Sequence, residues 1–213
     1  SVKGKTIWID ASTIEFKPEK NLEPNKLYEV TFKLGKVTEV AENKLKELKF
    51  SLKTVEPSFA ITDLFLKSTS AKNKMYLTGQ LETADLEDNK TIEQLVSETQ
   101  NNKTLPIKWQ HNDASKLHQF TVEGIERQTK AGNVKISWNG QALASKITGE
   151  KDIAVPASGN FKVLNVVAMN DAQQYASVQF SDPIAVGQDL NGLISISNSS
   201  DLSYTIDGSE VKV

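Results

Sequence analysis

Short segments in which apolar and polar residues alternate recur along the whole chain, and turn-forming residues bound most of them. In the clearest one, Tyr28, Val30 and Phe32 fall on one face while Glu29 and Thr31 fall on the other. This two-residue period is that of a strand with one buried face. Several such segments at short intervals are typical of β-sandwiches, so the sequence predicts an all-β chain.

One stretch has a different period. Ile92, Leu95 and Val96 are spaced as on one face of a helix, and Asp88 and Asn89 precede them as possible caps. The sequence therefore predicts one short helix near residues 89–99, inserted between strands. The predicted strands cover residues 6–9, 13–16, 28–34, 48–53, 59–67, 74–83, 105–110, 118–125, 134–138, 153–155, 161–168 and 177–180.

Proline and glycine mark the predicted divisions between modules. Pro57 ends the first group of strands, and the PASGN run at residues 156–160 has the composition of a linker. We therefore predict an immunoglobulin-like module over residues 1–57, a second β-sandwich over 58–159, and the beginning of a third over 160–213.

The stretch from Gln179 to Ile196, QFSDPIAVGQDLNGLISI, is typical of a strand, a proline corner and a second strand after Gly192. A sandwich needs roughly seven strands and about 100 residues, so we expect the third module to be truncated. A similar pattern of glycine followed by a strand around Gly4 lacks the preceding strand. We therefore expect the first module to miss its leading strand.

Composition excludes several function classes. The 25 basic and 27 acidic residues are interspersed and give a net charge of −2, so the chain has no electrostatic footprint for nucleic acid or an anionic membrane surface. The absence of cysteine excludes disulfides, thiol catalysis and thiolate metal sites. No apolar run approaches the roughly 20 residues that span a bilayer.

The segment from His111 to His118 also contains Asp113 and Ser115, a combination that invites a nucleophile or metal interpretation. A catalytic triad draws its members from separated elements, and a metal site needs three or four convergent ligands. We favour a polar hairpin connection, in which the two histidines could still meet across the hairpin.

The acidic residues Asp85, Glu87 and Asp88 offer the hard oxygen ligands that calcium prefers. They lack the glycine and alternating spacing of an EF-hand loop and come directly before the predicted helix. Acidic groups there favour the helix dipole, which is the interpretation we adopt.

Trp8, Trp109 and Trp138 would form a sugar-stacking platform if they were exposed together. Each lies in an apolar strand pattern, so core packing is the favoured interpretation for most of them. The sequence thus predicts no catalytic, cofactor-binding or metal-binding residues, no cofactor, and a protein that is not an enzyme.

Several longer motifs carry a resemblance. The series LPIKWQHNDASKLHQFTVEGIER, VKISWNG and FKVLNVV, followed by QFSDPI and DLNGLI, resembles the amino-terminal region of bacterial alpha-2-macroglobulin family proteins of the Bacteroidetes type. It covers most of the chain from about Thr13 and is firmest over residues 105–196. Its motifs are strand and turn signatures rather than chemistry.

The resemblance implies tandem macroglobulin-like β-sandwiches that act as non-catalytic scaffold in a broad-spectrum protease inhibitor. It also implies a periplasmic or cell-envelope location, with any membrane anchor or thioester outside this sequence. The implied partners are other domains of the same full-length chain and, through that chain, target proteases; nucleic acid is not among them. The alternative is a glycan-binding or adhesive β-sandwich module of a bacterial surface protein.

Overall fold

The chain is all-β and divides into two compact units. The computed structural model describes residues 1–40, 46–71, 73–112, 115–170, 174–197 and 201–213. The units are Ser1–Pro57 and Ser58–Val213. Both are built from small antiparallel sheets, which confirms the predicted fold class of immunoglobulin-like β-sandwich modules. The further division at residue 159 stays a prediction.

The unit Ser1–Pro57 contains two antiparallel hairpins. Strands β1 (Gly4–Trp8) and β2 (Ile14–Pro18) form the first, and β3 (Leu27–Phe32) and β4 (Leu48–Lys53) form the second. Asp10 closes the first turn, because its Oδ1 accepts the backbone N–H groups of Ser12 at 2.7 Å and Thr13 at 2.8 Å. These hydrogen bonds favour the charged carboxylate and lower the pKa of Asp10.

Side chains of this unit are poorly covered. The predicted alternation in β3 is present, since Tyr28, Val30 and Phe32 are half-buried while their neighbours are exposed. On β4, however, Phe50 is 55% exposed. None of the described residues of Ser1–Pro57 is fully buried. A single two-stranded hairpin offers too little sheet to enclose a core, so local hydrogen bonds carry much of the order here.

The unit Ser58–Val213 contains a complete β-sandwich. One sheet has the order β5 (Phe59–Ser68), β6 (Lys74–Thr83), β10 (Leu117–Glu126) and β9 (Ile107–Gln110). The other has the order β12 (Thr148–Val155), β11 (Gly132–Asn139), β7 (Val96–Gln100) and β8 (Lys103–Thr104). Their facing side chains enclose a core that includes Met75, Leu77, Phe120, Val134 and Ile136.

A close approach between β6 and β10 shapes that core. Gly79 pairs with Phe120, whose ring covers the space where a Cβ atom at residue 79 would lie. The Cδ2 atom of Leu64 stands 2.8 Å from the same position. Glycine is required here by packing, because any larger side chain would displace the aromatic ring.

A third sheet continues the same unit. Its order is β13 (Val163–Asn170), β14 (Gln174–Phe180), β16 (Glu210–Lys212) and β15 (Thr205–Asp207). It covers a small second core of Val178, Phe180, Leu190 and Val211.

The strand that the sequence predicted after Gly192 is not formed. Residues 191–197 are turns and irregular backbone, with Gly192 at a φ of 74°. The apolar residues of this segment pack as loop side chains, since Leu190 is buried and Ile194 contacts the small core. Strand β14 pairs with β13 on one side and with β16 on the other.

The predicted helix near residues 89–99 needs correction. Helix α1 spans only Asn89–Ile92, and strand β7 begins at Val96. Ile92, Leu95 and Val96 are all buried, so their spacing indicated burial correctly but not the backbone conformation. In β7 the buried positions follow a period of two, Val96, Glu98 and Gln100, because this strand pairs with β11.

Replacing Gly79 with alanine should destabilise the sandwich. The added methyl group would collide with Phe120 and Leu64, and such overpacking costs about 1–3 kcal/mol. Urea unfolding followed by tryptophan fluorescence measures the effect. Gly132→Ala is the matched control in β11, since a Cβ there meets open space. Equal midpoints for the two variants would contradict the packing argument.

Candidate functional site

The two histidines meet across the connection between β9 and β10. Gln110 pairs with Gln119, which places the adjoining His111 beside His118. Their Nδ1 atoms lie 3.0 Å apart, and His111 Nε2 lies 3.2 Å from Oε1 of Glu93. His118 is fully buried. The two histidines therefore contact each other across the hairpin, as the sequence allowed.

The hydrogen bonds of this histidine cluster define a consistent pair of tautomers. When His111 carries its proton on Nε2, it donates to the Glu93 carboxylate, and its Nδ1 can accept a hydrogen bond from the Nδ1–H group of His118. The His111 ring also stacks on Trp109, with centroids 5.7 Å apart and planes 6° from parallel. These contacts engage both nitrogens of His111 and one face of its ring.

The other polar residues of the segment form a turn. Ser115 accepts the N–H of Leu117 on its Oγ and donates its own N–H to the Asn112 carbonyl. Asp113 lies outside the described residues. Within the described parts of the chain, no group of three or more histidine, aspartate or glutamate side chains is arranged to hold a metal ion.

The acidic run before α1 has local roles. Asp85 accepts the N–H of Leu86, and the main-chain carbonyl of Asp88 accepts from Thr91 and Ile92. Partial burial and the nearby Asp85 charge raise the pKa of Glu87. Because α1 has only four residues and Asp88 makes no side-chain cap bond, the helix-dipole contribution is small.

The tryptophans do not share one environment. Trp109 and Trp138 are partly buried and pack against the sandwich core, whereas Trp8 is 55% exposed on β1. Core packing therefore accounts for two of them. The sugar-stacking interpretation of the tryptophans has no support from Trp109, whose indole lies between His111 and Phe120.

The most connected polar side chain is one that sequence reasoning missed. Arg127, at the end of β10, is 5% exposed. Its guanidinium makes a bidentate ion pair with Asp182, with Nη1–Oδ1 at 2.7 Å and Nη2–Oδ2 at 3.1 Å. Such paired, charge-assisted bonds are among the strongest polar contacts in proteins.

The same guanidinium binds main-chain carbonyls from two other segments. It donates to Pro156 at 3.3 Å, Ala157 at 2.8 Å and Asn160 at 3.2 Å. It also donates to the Ser181 carbonyl at 3.0 Å. We call these groups, Arg127 and Asp182 with residues 156–160 and Ser181, the arginine junction. It joins the end of β10 to the connection between β12 and β13 and to the residues that follow β14.

The Ser181 hydroxyl makes further hydrogen bonds within the arginine junction. It donates to Asp182 at 2.7 Å and accepts the N–H of Lys162 at 2.8 Å. The Asp182 carboxylate is therefore held in place by a neutral donor as well as by the cation. A nearby hydrogen bond, from Ser68 Oγ to the Phe180 carbonyl at 3.0 Å, ties β5 to the same corner.

A second unusual group lies inside the sandwich. Glu98 is completely buried on β7, and neither of its carboxylate oxygens has a hydrogen-bond partner among the residues that the structure describes. Burial disfavours the charged form and raises the pKa of Glu98 to about 8. Glu98 is thus protonated at neutral pH, and its location in a closed core makes it a stability determinant rather than a catalytic acid.

Replacing Arg127 should strongly destabilise the unit Ser58–Val213. Arg127→Met leaves Asp182 and several carbonyls without their partner in a buried place, so we expect the free energy of unfolding to fall by about 3–5 kcal/mol. Lys135→Met removes an exposed pair with Glu150 at 3.0 Å, which solvent screens, and should leave the free energy of unfolding nearly unchanged. Chemical denaturation of both variants provides the comparison. Similar losses would refute a special role for the arginine junction.

Glu98 should make stability fall as pH rises. Between pH 4.5 and 8 the unfolded carboxyl loses its proton while the folded one keeps it, so the unfolding free energy declines by up to roughly 1.4 kcal/mol per pH unit. Glu98→Gln should remove this part of the slope, whereas Glu82→Gln, at an exposed position on β6, should retain it. Urea titrations at several pH values test the difference. An unchanged slope in Glu98→Gln would rule out the assignment.

None of the described helices is long and apolar enough to cross a membrane. Among known protein families, a model described as bacterial Ig-like domain matches residues 1–54. No curated protein and no solved structure matches the chain, and no alpha-2-macroglobulin model matches either.

The matched part covers both hairpins of the unit Ser1–Pro57. Modules of this immunoglobulin-like class are typically non-catalytic and serve structural or adhesive roles. The chain therefore contains a segment similar to bacterial Ig-like domains at residues 1–54 and, after it, a β-sandwich unit that carries the arginine junction.

Proposed function

We propose that this chain is a non-catalytic scaffold segment from the amino-terminal region of a bacterial alpha-2-macroglobulin-like protease inhibitor. The bacterial Ig-like match supports a structural module of bacterial origin. The finer assignment rests on the resemblance of the motifs between residues 105 and 196. As part of that assignment, the parent protein lies in the periplasm or cell envelope, and any anchor lies outside this sequence.

One observation carries the proposal: the motifs that bear the resemblance meet in space. The first motif ends in GIER, whose last residue is Arg127, and QFSDPI contains Asp182. These two residues form the buried bidentate pair of the arginine junction. The resemblance therefore concerns residues that hold neighbouring sheets together, which is what a scaffold role requires.

The proposed mechanism is mechanical. Inhibitors of the family that the chain resembles trap a protease by rearranging around it after a bait segment is cleaved. Such a rearrangement needs modules that move as rigid bodies while other segments change shape. The arginine junction provides such rigidity, because a bidentate pair and four carbonyl contacts would have to break together. Its partners in this role are other domains of the same chain, and target proteases are met only through the full-length protein.

The purified 213-residue chain should neither cleave nor inhibit proteases. Casein hydrolysis by trypsin, chymotrypsin, elastase and subtilisin should be unchanged at a tenfold molar excess of the chain, since no trap is present in a scaffold segment. Inhibition of any of the four would contradict the scaffold assignment. The open reading frame around this segment gives a second test. If it encodes a long β-rich chain with a Cys-x-x-Gln motif, it supports a parent inhibitor that traps proteases through a thioester.

The full-length parent allows a sharper measurement. Arg127→Met should reduce the fraction of protease trapped, as seen by a shift in native gel mobility, while Lys135→Met should trap as much as the wild type. Equal trapping by both variants would show that the arginine junction does not contribute to the rearrangement.

A further inference from the structure

An open cleft lies on the outer face of the first sandwich sheet, on the side away from the core. It measures about 690 Å³, within the rough range of 300–1,000 Å³ of small-molecule sites. Strands β5, β6, β9 and β10 contribute its floor, and Val167 and Met169 of β13 line one side. The cleft is separate from the arginine junction and from the histidine cluster.

Strand register builds a row of amide side chains across this floor. Gln80 of β6 pairs directly with Gln119 of β10, which pairs directly with Gln110 of β9. Directly paired residues of an antiparallel sheet have Cβ atoms about 5 Å apart, so the three side chains form a continuous line. The next row contains Thr78 paired with Thr121. We call these five residues the glutamine face.

The amides of this row have unused hydrogen-bonding capacity. The side chains of Gln80, Gln110 and Gln119 make no hydrogen bond to any residue in the described part of the chain. Each amide offers two donor hydrogens and one acceptor oxygen. The row therefore presents donors and acceptors side by side, which suits ligand groups that can both give and accept hydrogen bonds.

The charges around the cleft cancel. Lys108 and Glu123 form an ion pair at 2.9 Å, and the remaining charged residues of the lining are one acid, Asp63, and one base, Lys67. A site for a phosphate or carboxylate ligand would carry an excess of cations. This balance favours an uncharged ligand.

The cleft also has an apolar side. Phe65, Val167 and Met169 line it together with the amides. A ligand that matches both surfaces has neutral hydroxyl groups next to carbon–hydrogen faces, and carbohydrates combine these features. A peptide strand is disfavoured, because strand addition uses a free sheet edge while β6 and β10 are central strands whose backbone groups are already paired.

We propose that the glutamine face binds a neutral oligosaccharide, with its hydroxyl groups on the amide row and its apolar faces against Phe65 and Met169. This binding function goes beyond the scaffold role and does not depend on protease trapping. A glycan site here would tether the module to a polysaccharide-rich surface.

Isothermal titration of the 213-residue chain tests the proposal with four neutral probes, maltohexaose, cellohexaose, mannohexaose and N-acetylchitohexaose. At least one probe should bind with a dissociation constant in the millimolar range or lower. A hyaluronan hexasaccharide serves as the charged comparison and should bind more weakly than that probe. No binding of any neutral probe, or a preference for the charged one, would overturn the proposal.

Substitutions locate the site. Gln119→Ala and Gln80→Ala should each weaken binding roughly tenfold, because each removes hydrogen bonds to the ligand. Gln141→Ala, an exposed glutamine of the turn after β11, is the matched control and should leave the affinity unchanged. Unchanged thermal midpoints exclude a folding defect. Binding that survives both Gln119→Ala and Gln80→Ala would refute the assignment of the ligand to this face.

Discussion

The unit Ser58–Val213 depends on the burial of one guanidinium group. Arg127 could not remain charged in the interior without compensation, and the fold supplies the Asp182 carboxylate and four main-chain carbonyls. Three of those carbonyls lie in the connection between β12 and β13, and the fourth belongs to Ser181, directly after β14; none of these residues is part of a strand. Arginine is required because its planar fork reaches both carboxylate oxygens while further N–H groups point elsewhere. A lysine could replace the charge but not this geometry.

The two units of the chain show how much a closed core matters. In Ser1–Pro57 each sheet has two strands, and side chains such as Phe16 and Phe50 remain about half exposed. Its order comes from local bonds, for example Thr54 Oγ1, which donates to the Glu23 carbonyl at 2.6 Å and accepts the N–H of Lys26. In Ser58–Val213 two four-stranded sheets face each other and bury Phe120, Leu77 and Leu81 almost completely. That core is large enough to tolerate a buried protonated carboxyl at Glu98.

The alternation of apolar and polar residues, with turn residues at each end, predicts several strands of this fold correctly. The strands Leu48–Lys53 and Lys74–Thr83 follow from alternation and flanking turn residues, and both agree with the structure. Strand β7 was missed because Ile92, Leu95 and Val96 fit a helical spacing, and the buried polar residues Glu98 and Gln100 conceal its two-residue period. The burial of Arg127 and its pairing with Asp182 could not be predicted from the sequence. A charged residue at a strand end usually faces solvent, and Asp182 is 55 positions away. The histidine contact was accessible to reasoning only because both residues flank one hairpin.

The register between two strands determines which side chains are neighbours on both faces of the sheet. The pairing that sets Gly79 against Phe120 in the core also sets Gln80 beside Gln119 on the outer face, since neighbouring residues of a strand point to opposite sides. A slip of one residue would expose Phe120 and bury the amides, which the apolar core strongly resists. The three glutamine side chains, which make no hydrogen bond to the described residues, therefore acquire their alignment from the packing beneath them. This preorganisation lowers the conformational cost of binding, because the backbone positions of the amides are fixed before a ligand arrives.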